Sequence, residues 1–310
     1  MPSGGRLLVG YAAIFGAVVI WALSYIVMKS ATTDYPQLLF QFWRYAGVAV
    51  LYVVCFRRAM HGISGTLWKL GLLRLGPAYF VLGLFSIYAV EYTTPTRVVV
   101  INSLIVGFVP LLRWLHDRVR PEYGERWAIG IALAAIALLL EPRNGAVRLG
   151  DGLALIGMLG YAYSILHTNR MLRTEGATVV QVSFLGVTGC AGYFIATALI
   201  YACVHPDGLA LGTLAAQPMT MAGIAYMILF VSVAANFLQV AGQRRLPPVT
   251  VAILFCLEPA VAAVFDYFLL GNRPPLRVIA SGALLAAATL LTALPAIGAR
   301  RKRRREGIEA

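Results

Sequence analysis

Residues Leu7–Met28 read LLVGYAAIFGAVVIWALSYIVM, 22 positions without one Asp, Glu, Lys or Arg. At a rise of about 1.5 Å per residue this run matches the roughly 30 Å hydrocarbon thickness of a bilayer, so it predicts a membrane-crossing helix. It exceeds the roughly 7–15 apolar residues of a cleaved secretory signal. It ends at Lys29, not at a small-residue cleavage site, so the expectation is a retained first helix. Val180–Val204, Met221–Val240 and Val278–Ile297 are runs of the same kind. Of the 310 residues, 60% are hydrophobic and only 13% charged. A soluble domain carries roughly 25% charged residues, so most of this surface is expected to face lipid.

The pattern predicts an all-α membrane protein with helices at about 8–28, 38–56, 75–93, 97–115, 127–141, 151–168, 179–204, 220–241, 249–270 and 277–297. The links between them are too short to hold a separate soluble domain. If the basic run Arg300–Arg305 is cytoplasmic, ten spans put the N-terminus there too. Inside segments then hold eighteen Lys and Arg, outside segments six, and Arg44 and Arg113 lie within spans, which accounts for all 26. A one-sided bias of this size fits a membrane protein with both termini cytoplasmic, in a cell membrane of the bacterial inner-membrane type. It also accounts for the net charge of +13 without nucleic acid as a partner.

Other chemistries lack support. Cys55, Cys190, Cys203 and Cys256 lie in apolar runs without metal-ligand spacing, and are expected to be buried inert thiols. The four histidines are scattered. No phosphate-binding glycine loop occurs among the 30 glycines, so bound ATP is not the expected energy source and no cofactor is expected.

A shift of 153 residues lays Pro95 on Pro248, Arg120 on Arg273 and Pro121 on Pro274. Two copies of five spans necessarily run in opposite senses, because five is odd. Inverted repeats of this kind place a binding site near the midplane, where the halves meet. The expected divisions are 1–145 for the first five-helix repeat, 146–298 for the second and 299–310 for a basic tail.

The first helix ends Trp21-Ala22-Leu23-Ser24-Tyr25-Ile26-Val27-Met28-Lys29, and Phe42-Trp43-Arg44-Tyr45 follows early in the second. Tyr92-Thr93-Thr94 to Arg97 links the third and fourth helices, Gly150-Asp151 opens the sixth, and Leu257-Glu258-Pro259 lies in the ninth. In this order, over nearly the whole chain, they resemble the EamA-type proteins of the drug/metabolite transporter superfamily. Two departures stand out. Gly271 is followed by Asn272 where the family commonly has Gly-Glu, and Val106 stands where its fourth helix commonly has proline, with Pro110 one turn later. The resemblance implies a secondary transporter rather than an enzyme.

Polar groups inside a bilayer are costly and face the bundle interior or a watery cavity. Ser232, Asn236, Gln239 and Gln243 fall at i, i+4, i+7 and i+11, one face of the eighth helix. Such a stripe lines a cavity or glues a helix seam. Gly157, Tyr161, Ser164 and Thr168 share a face of the sixth helix, Trp21 and Ser24 one of the first, and Tyr88 and Glu91 one of the third. Asn102 stands alone in the fourth. Glu258 has two readings: a carboxyl satisfied beside the carbonyls freed by Pro259, or a substrate- or proton-binding group. Arg44 reads as an ion pair with Glu91 or Asp266, or as a snorkelling side chain, with an anionic-substrate clamp as the alternative.

The cavity candidates are therefore Trp21, Ser24, Tyr88, Asn102, Tyr161, Ser164, Ser232, Asn236, Gln239 and Glu258. The expected function is alternating-access transport of a small organic metabolite, with a proton as an optional coupling ion. With Tyr163, the aromatic members point to an amphipathic or aromatic solute, and export of amino acids is one form of this. The rival reading is a membrane-embedded enzyme acting on a lipid-linked substrate. It lacks the His, Cys or acidic cluster that such chemistry needs. The oligomeric state stays open.

Overall fold

The computed structural model describes residues 4–93, 95–139, 148–205, 208–270 and 276–305; the side chains of 4–6, 59, 95–96, 139, 266, 269–270 and 292–305 fall outside that description. Thr94, the 145/146 boundary, Arg143, the Gly271-Asn272 pair, Arg273, the Asp266 side chain and the side chains of the basic tail therefore lie outside the described residues and side chains. No strand occurs among the described residues.

The longer helices are α1 (Gly4–Ala31), α2 (Gln37–Phe56) and α3 (Gly65–Tyr92), then α4 in two pieces (Pro95–Asn102 and Ile105–Asp117), α5 (Tyr123–Leu139) and α6 (Leu149–Leu172). There follow α7 (Val179–Val204), α8 (Pro218–Gln243), α9 in two pieces (Pro248–Phe255 and Glu258–Leu270) and α10 (Leu276–Arg305). Among the described residues eight are long and apolar enough to cross a membrane: α1–α4 and α6–α9. The described apolar part of α10, Leu276–Leu291, is shorter, and α5 has 17 residues.

The helices differ from expectation in three places, one of them the break in α4 at Ser103 and Leu104. α3 starts at Gly65, not near residue 75, because Lys69 and Arg74 belong to the helix. Arg74 is exposed at its surface and donates to the Tyr163 hydroxyl, at 3.2 Å, so these charges need no loop. α9 is not continuous. It stops at Phe255 and restarts at Glu258, so Pro259 sits in the first turn of a segment, where its missing N–H costs nothing.

Lipid-facing side chains such as Leu8, Val54, Ile200 and Phe268 are strongly exposed, which is the surface expected of a protein solvated by acyl chains. Cys55 and Cys203 lie on this outer face, and only Cys190 and Cys256 are buried, which corrects the expectation of four buried thiols. In an apolar run every face is equally apolar, so the run does not say which side packs.

Inside, close approach replaces hydrophobic driving force. A Cβ added at Gly160 would lie 2.9 Å from the Ala78 carbonyl oxygen, and one at Gly150 2.7 Å from that of Ala89, so α6 meets α3 backbone to backbone. The N-terminal end of α6 is tied down as well. Asp151 pairs with Arg97 and accepts from Thr93 Oγ1 at 3.1 Å and from the Arg148 N–H at 2.9 Å, the last bond capping the helix start.

Apolar side chains gather in separate clusters. One joins α2, α3 and α7 around Tyr52, Leu75 and Phe194. A second joins α1, α4, α6 and α9 around Ile14, Ile165 and Phe255. A third joins α4, α5, α9 and α10 around Ile136, Ile253 and Leu285. Polar side chains meet between the first two and a further cluster that holds Met28, Met227 and Val231.

Candidate functional site

α1 turns Trp21, Ser24, Tyr25 and Met28 inward, at i, i+3, i+4 and i+7. α2 contributes Gln41, Arg44 and Tyr45, and α3 Tyr79, Leu82, Gly83 and Ser86. α8 contributes Met227, Val231, Ser232, Asn236 and Gln239, and Tyr161 of α6 and Glu258 of α9 complete the main wall. These residues surround a cavity of about 110 Å³.

The helices are irregular where they meet it. α8 is π-helical over Met227–Ala235, the stretch that carries Ser232. The wider turn belongs to a form that recurs at functional sites. The break in α9 leaves Glu258 as the first residue of a 13-residue segment. The free N–H groups and positive dipole end of a helix favour a carboxylate at that position.

The polar contacts form two groups. Arg44 Nε donates to Ser232 Oγ at 2.7 Å, and Arg44 Nη1 donates to Gln41 Oε1 at 3.2 Å. Gln41 Nε2 in turn donates to the Gly83 carbonyl at 2.7 Å, which fixes the amide's orientation. The guanidinium also lies 4.8 Å from the centre of the Tyr45 ring. On the other side, Trp21, Tyr161 and Phe255 pack as an aromatic trio, with ring centres 5.1–5.8 Å apart. The Tyr161 hydroxyl and Glu258 Oε1 are buried without a hydrogen-bond partner. Between the groups, Tyr79 donates to Asn236 Oδ1 at 3.0 Å.

Of the expected residues, Trp21, Ser24, Tyr161, Ser232, Asn236, Gln239 and Glu258 are brought together around the cavity. Tyr88, Asn102 and Ser164 are not among its lining. Tyr88 packs in an apolar cluster with Ile87 and Val90. Ser164 donates to the Tyr161 carbonyl of its own helix at 2.7 Å. Asn102 acts one layer back: its Nδ2 donates to the Tyr25 hydroxyl at 2.7 Å and so orients a wall residue. Gln243, at the end of the α8 stripe, is buried beyond the lining, and neither of its amide atoms has a partner.

Arg44 departs from the ion-pair expectation. Among the described residues no carboxylate lies within ion-pair distance of it, and Glu91 is exposed. Tyr25, Gln41, Tyr45, Tyr79 and Ser86 were not singled out from sequence as cavity residues. Their signal is the same helical spacing that marks α8: Gln41, Arg44 and Tyr45 in α2, and Tyr79, Leu82, Gly83 and Ser86 in α3. Among the described residues no group of three or more His, Cys, Asp or Glu is placed to hold a metal.

The sequence profile of the EamA-like transporter family matches the chain twice, at residues 8–141 and 148–294. The chain belongs to this family, within the drug/metabolite transporter superfamily. It is 24% identical over 287 residues to an uncharacterized transporter of Archaeoglobus fulgidus, an alignment covering 89% of this chain and 94% of the relative. Its fold is similar to that of a solved crystal structure of 15% identity, with a TM-score of 0.68 over 94% of this chain and 98% of the other. This EamA-like protein is thus a membrane transporter.

Proposed function

We propose that this protein is a secondary transporter of a small organic metabolite, working by alternating access around the cavity between its two halves. The observation that carries the reading is the cavity itself. It draws Trp21, Arg44 and Tyr79 from the first half and Tyr161, Ser232 and Glu258 from the second, inside an otherwise apolar bundle. The halves are residues 1–145 and 146–298, two inverted five-helix repeats, with α5 and α10 completing ten spans.

Several features support the two-repeat reading. The breaks in α4 and α9 begin at Ser103 and Cys256, which lie 153 residues apart, the same shift that aligns the prolines. Each break follows an eight-residue piece that starts at a proline, Pro95 or Pro248. Cys256 Sγ donates to the Ser103 carbonyl at 3.1 Å, so equivalent positions touch, as they must near a two-fold axis. α2 packs on α7, α4 on α9 and α5 on α10, each a helix against its own counterpart. The two profile matches divide the chain at nearly the same point.

The aromatic walls favour an amphipathic solute, with amino acids as the leading class and export as the direction. Glu258 contacts that solute or carries a coupling proton. Both termini lie in the cytoplasm, as the Lys and Arg bias argues. The purified protein in proteoliposomes should exchange internal unlabelled for external labelled solute in counterflow. A panel of anionic, cationic, neutral and zwitterionic metabolites that all fail to exchange counts against the reading.

A further inference from the structure

At the end of the bundle where α3 begins and α4 and α6 end, three side chains meet on the lipid-facing surface. Arg74 Nη1 donates to the Tyr163 hydroxyl at 3.2 Å, and the Tyr163 ring packs edge-on against His116, with ring centres 6.2 Å apart. The π-helical turn Gly71–Leu75 of α3 buries Gly71 and Leu75 and leaves Arg74 exposed. His116, at the end of α4, is exposed as well, and Tyr163 of α6 is half-buried in contact with both. His116 Nδ1 lies 3.1 Å from the Leu112 carbonyl, which only accepts, so Nδ1 carries the hydrogen and Nε2 is left for a ligand.

Arg74 stands 18 residues before Tyr92, at the far end of α3, and Arg170 stands 19 residues after Asp151, at the far end of α6. At about 1.5 Å per residue both stretches approach the roughly 30 Å thickness of the hydrocarbon, so Arg74 and Arg170 lie at its boundary with the headgroups. Arg170 is neutralised there by Asp117, the neighbour of His116. Arg74 is not: among the described residues no carboxylate lies within ion-pair distance of it. An uncompensated guanidinium at this depth is costly, and the anion that the bilayer itself offers there is a lipid phosphate. One face of α6 fits the rest of such a molecule. Leu159, Ile156 and Leu155 follow Tyr163 toward the bilayer centre as an exposed apolar strip on a helix packed between α3 and α4. Arg118, Arg120 and Arg173, exposed just beyond α4 and α6, attract a headgroup of net negative charge and oppose one that carries its own ammonium.

We propose that this groove binds an anionic phospholipid of the surrounding bilayer. Its phosphate accepts from Arg74 and from the Tyr163 hydroxyl, with His116 beside it, and an acyl chain runs along Leu159 and Ile156. The groove is separate from the central cavity, since none of these residues lines that cavity.

Native mass spectrometry of the purified protein, in mixed micelles holding equal amounts of phosphatidylglycerol and phosphatidylcholine with the same acyl chains, tests the site. The wild type should retain phosphatidylglycerol at least about fivefold over phosphatidylcholine, and Arg74→Gln should lower that preference by about fivefold, the scale of one basic residue at a membrane surface. Arg74→Lys should keep most of the preference. Arg58→Gln removes an exposed charge at the same end of the molecule but outside the groove, and should leave the preference unchanged. In detergent, phosphatidylglycerol should raise the melting temperature of the wild type and inorganic phosphate at equal concentration should not. The wild-type comparisons need no variant to fold. Equal retention of the two lipids, or an unaltered preference in Arg74→Gln, overturns the proposal. Equal losses in Arg74→Gln and Arg58→Gln would reveal a diffuse basic surface instead of a site, and stabilisation by inorganic phosphate to the same degree would reveal a site for a free anion; either result overturns it too.

Discussion

Glu258 shows how little of a residue's surroundings its own helix decides. Counted along an uninterrupted α9 it sits mid-helix beside a proline. In the fold it starts a new segment, buried, with one oxygen unpartnered and Trp21, Tyr25 and Tyr161 sharing its cavity. A carboxyl in this position changes charge with pH, whereas the isosteric amide does not. Glu258→Gln is therefore expected to insert normally but to lose the pH dependence of net transport between about pH 5 and pH 8. Net flux measured across that range in proteoliposomes checks this. An unchanged profile assigns the carboxyl a structural role. Arg44 illustrates the same point with the opposite outcome. Its depth, seven residues from the start of α2 or about 10 Å along the axis, suggests a need for a nearby acid. The fold supplies Ser232 and Gln41 instead.

At the scale of elements, α8 and the α3–α6 seam make separate demands. The α8 stripe faces the cavity through Ser232, Asn236 and Gln239, while Leu238 packs against α1 at Gly16 and Val233 against the α2–α3–α7 cluster. Cysteines at Ser232, Asn236 and Gln239 in a cysteine-free background should react with a polar thiol reagent. Cysteines at Val233 and Leu238 should not, and equal labelling of both sets would dissolve the distinction. The seam depends on missing side chains. A methyl at Gly160 would press on the Ala78 carbonyl and the Leu82 N–H of α3, which are backbone atoms that move only with their helix. Gly160→Ala is expected to cost about 1–3 kcal/mol. Thermal unfolding in detergent measures it, and a wild-type melting temperature would show that the seam yields more easily than its geometry implies. Gly130, with nothing within 4 Å of an added Cβ, serves as the control substitution.

For the whole molecule, the placement of Lys and Arg predicts the orientation. Fluorescent protein fused after Ala310 should fluoresce in the cytoplasm, and a phosphatase active only outside should be silent there. Phosphatase activity at that position would reverse the topology. Asp151 and Arg97 pair at the N-terminal end of α6, and Asp117 and Arg170 near its C-terminal end. α6 is thus bound to α4 at both ends.

What the sequence determined by itself was what depends on the solvent and on runs along the chain. Lipid solvation requires long uncharged helices, so α1, α2, α4 and α6–α9 are legible as apolar runs, though not the breaks in α4 and α9. The polar stripe of α8 is legible because 3.6-residue spacing is a property of one helix. What only the tertiary structure decided lies between helices. Where a membrane helix is apolar on every face, hydropathy does not say that Cys55 looks outward and Cys190 inward, nor does it say that α3 continues through Lys69 and Arg74. The convergence of Gln41, Arg44, Tyr45 and Tyr79 on one cavity, and the placement of Asn102 behind Tyr25, follow from glycine-paced approaches of backbones far apart in sequence. Those contacts join residues 42 to 188 positions apart, and no local pattern carries a distance of that kind.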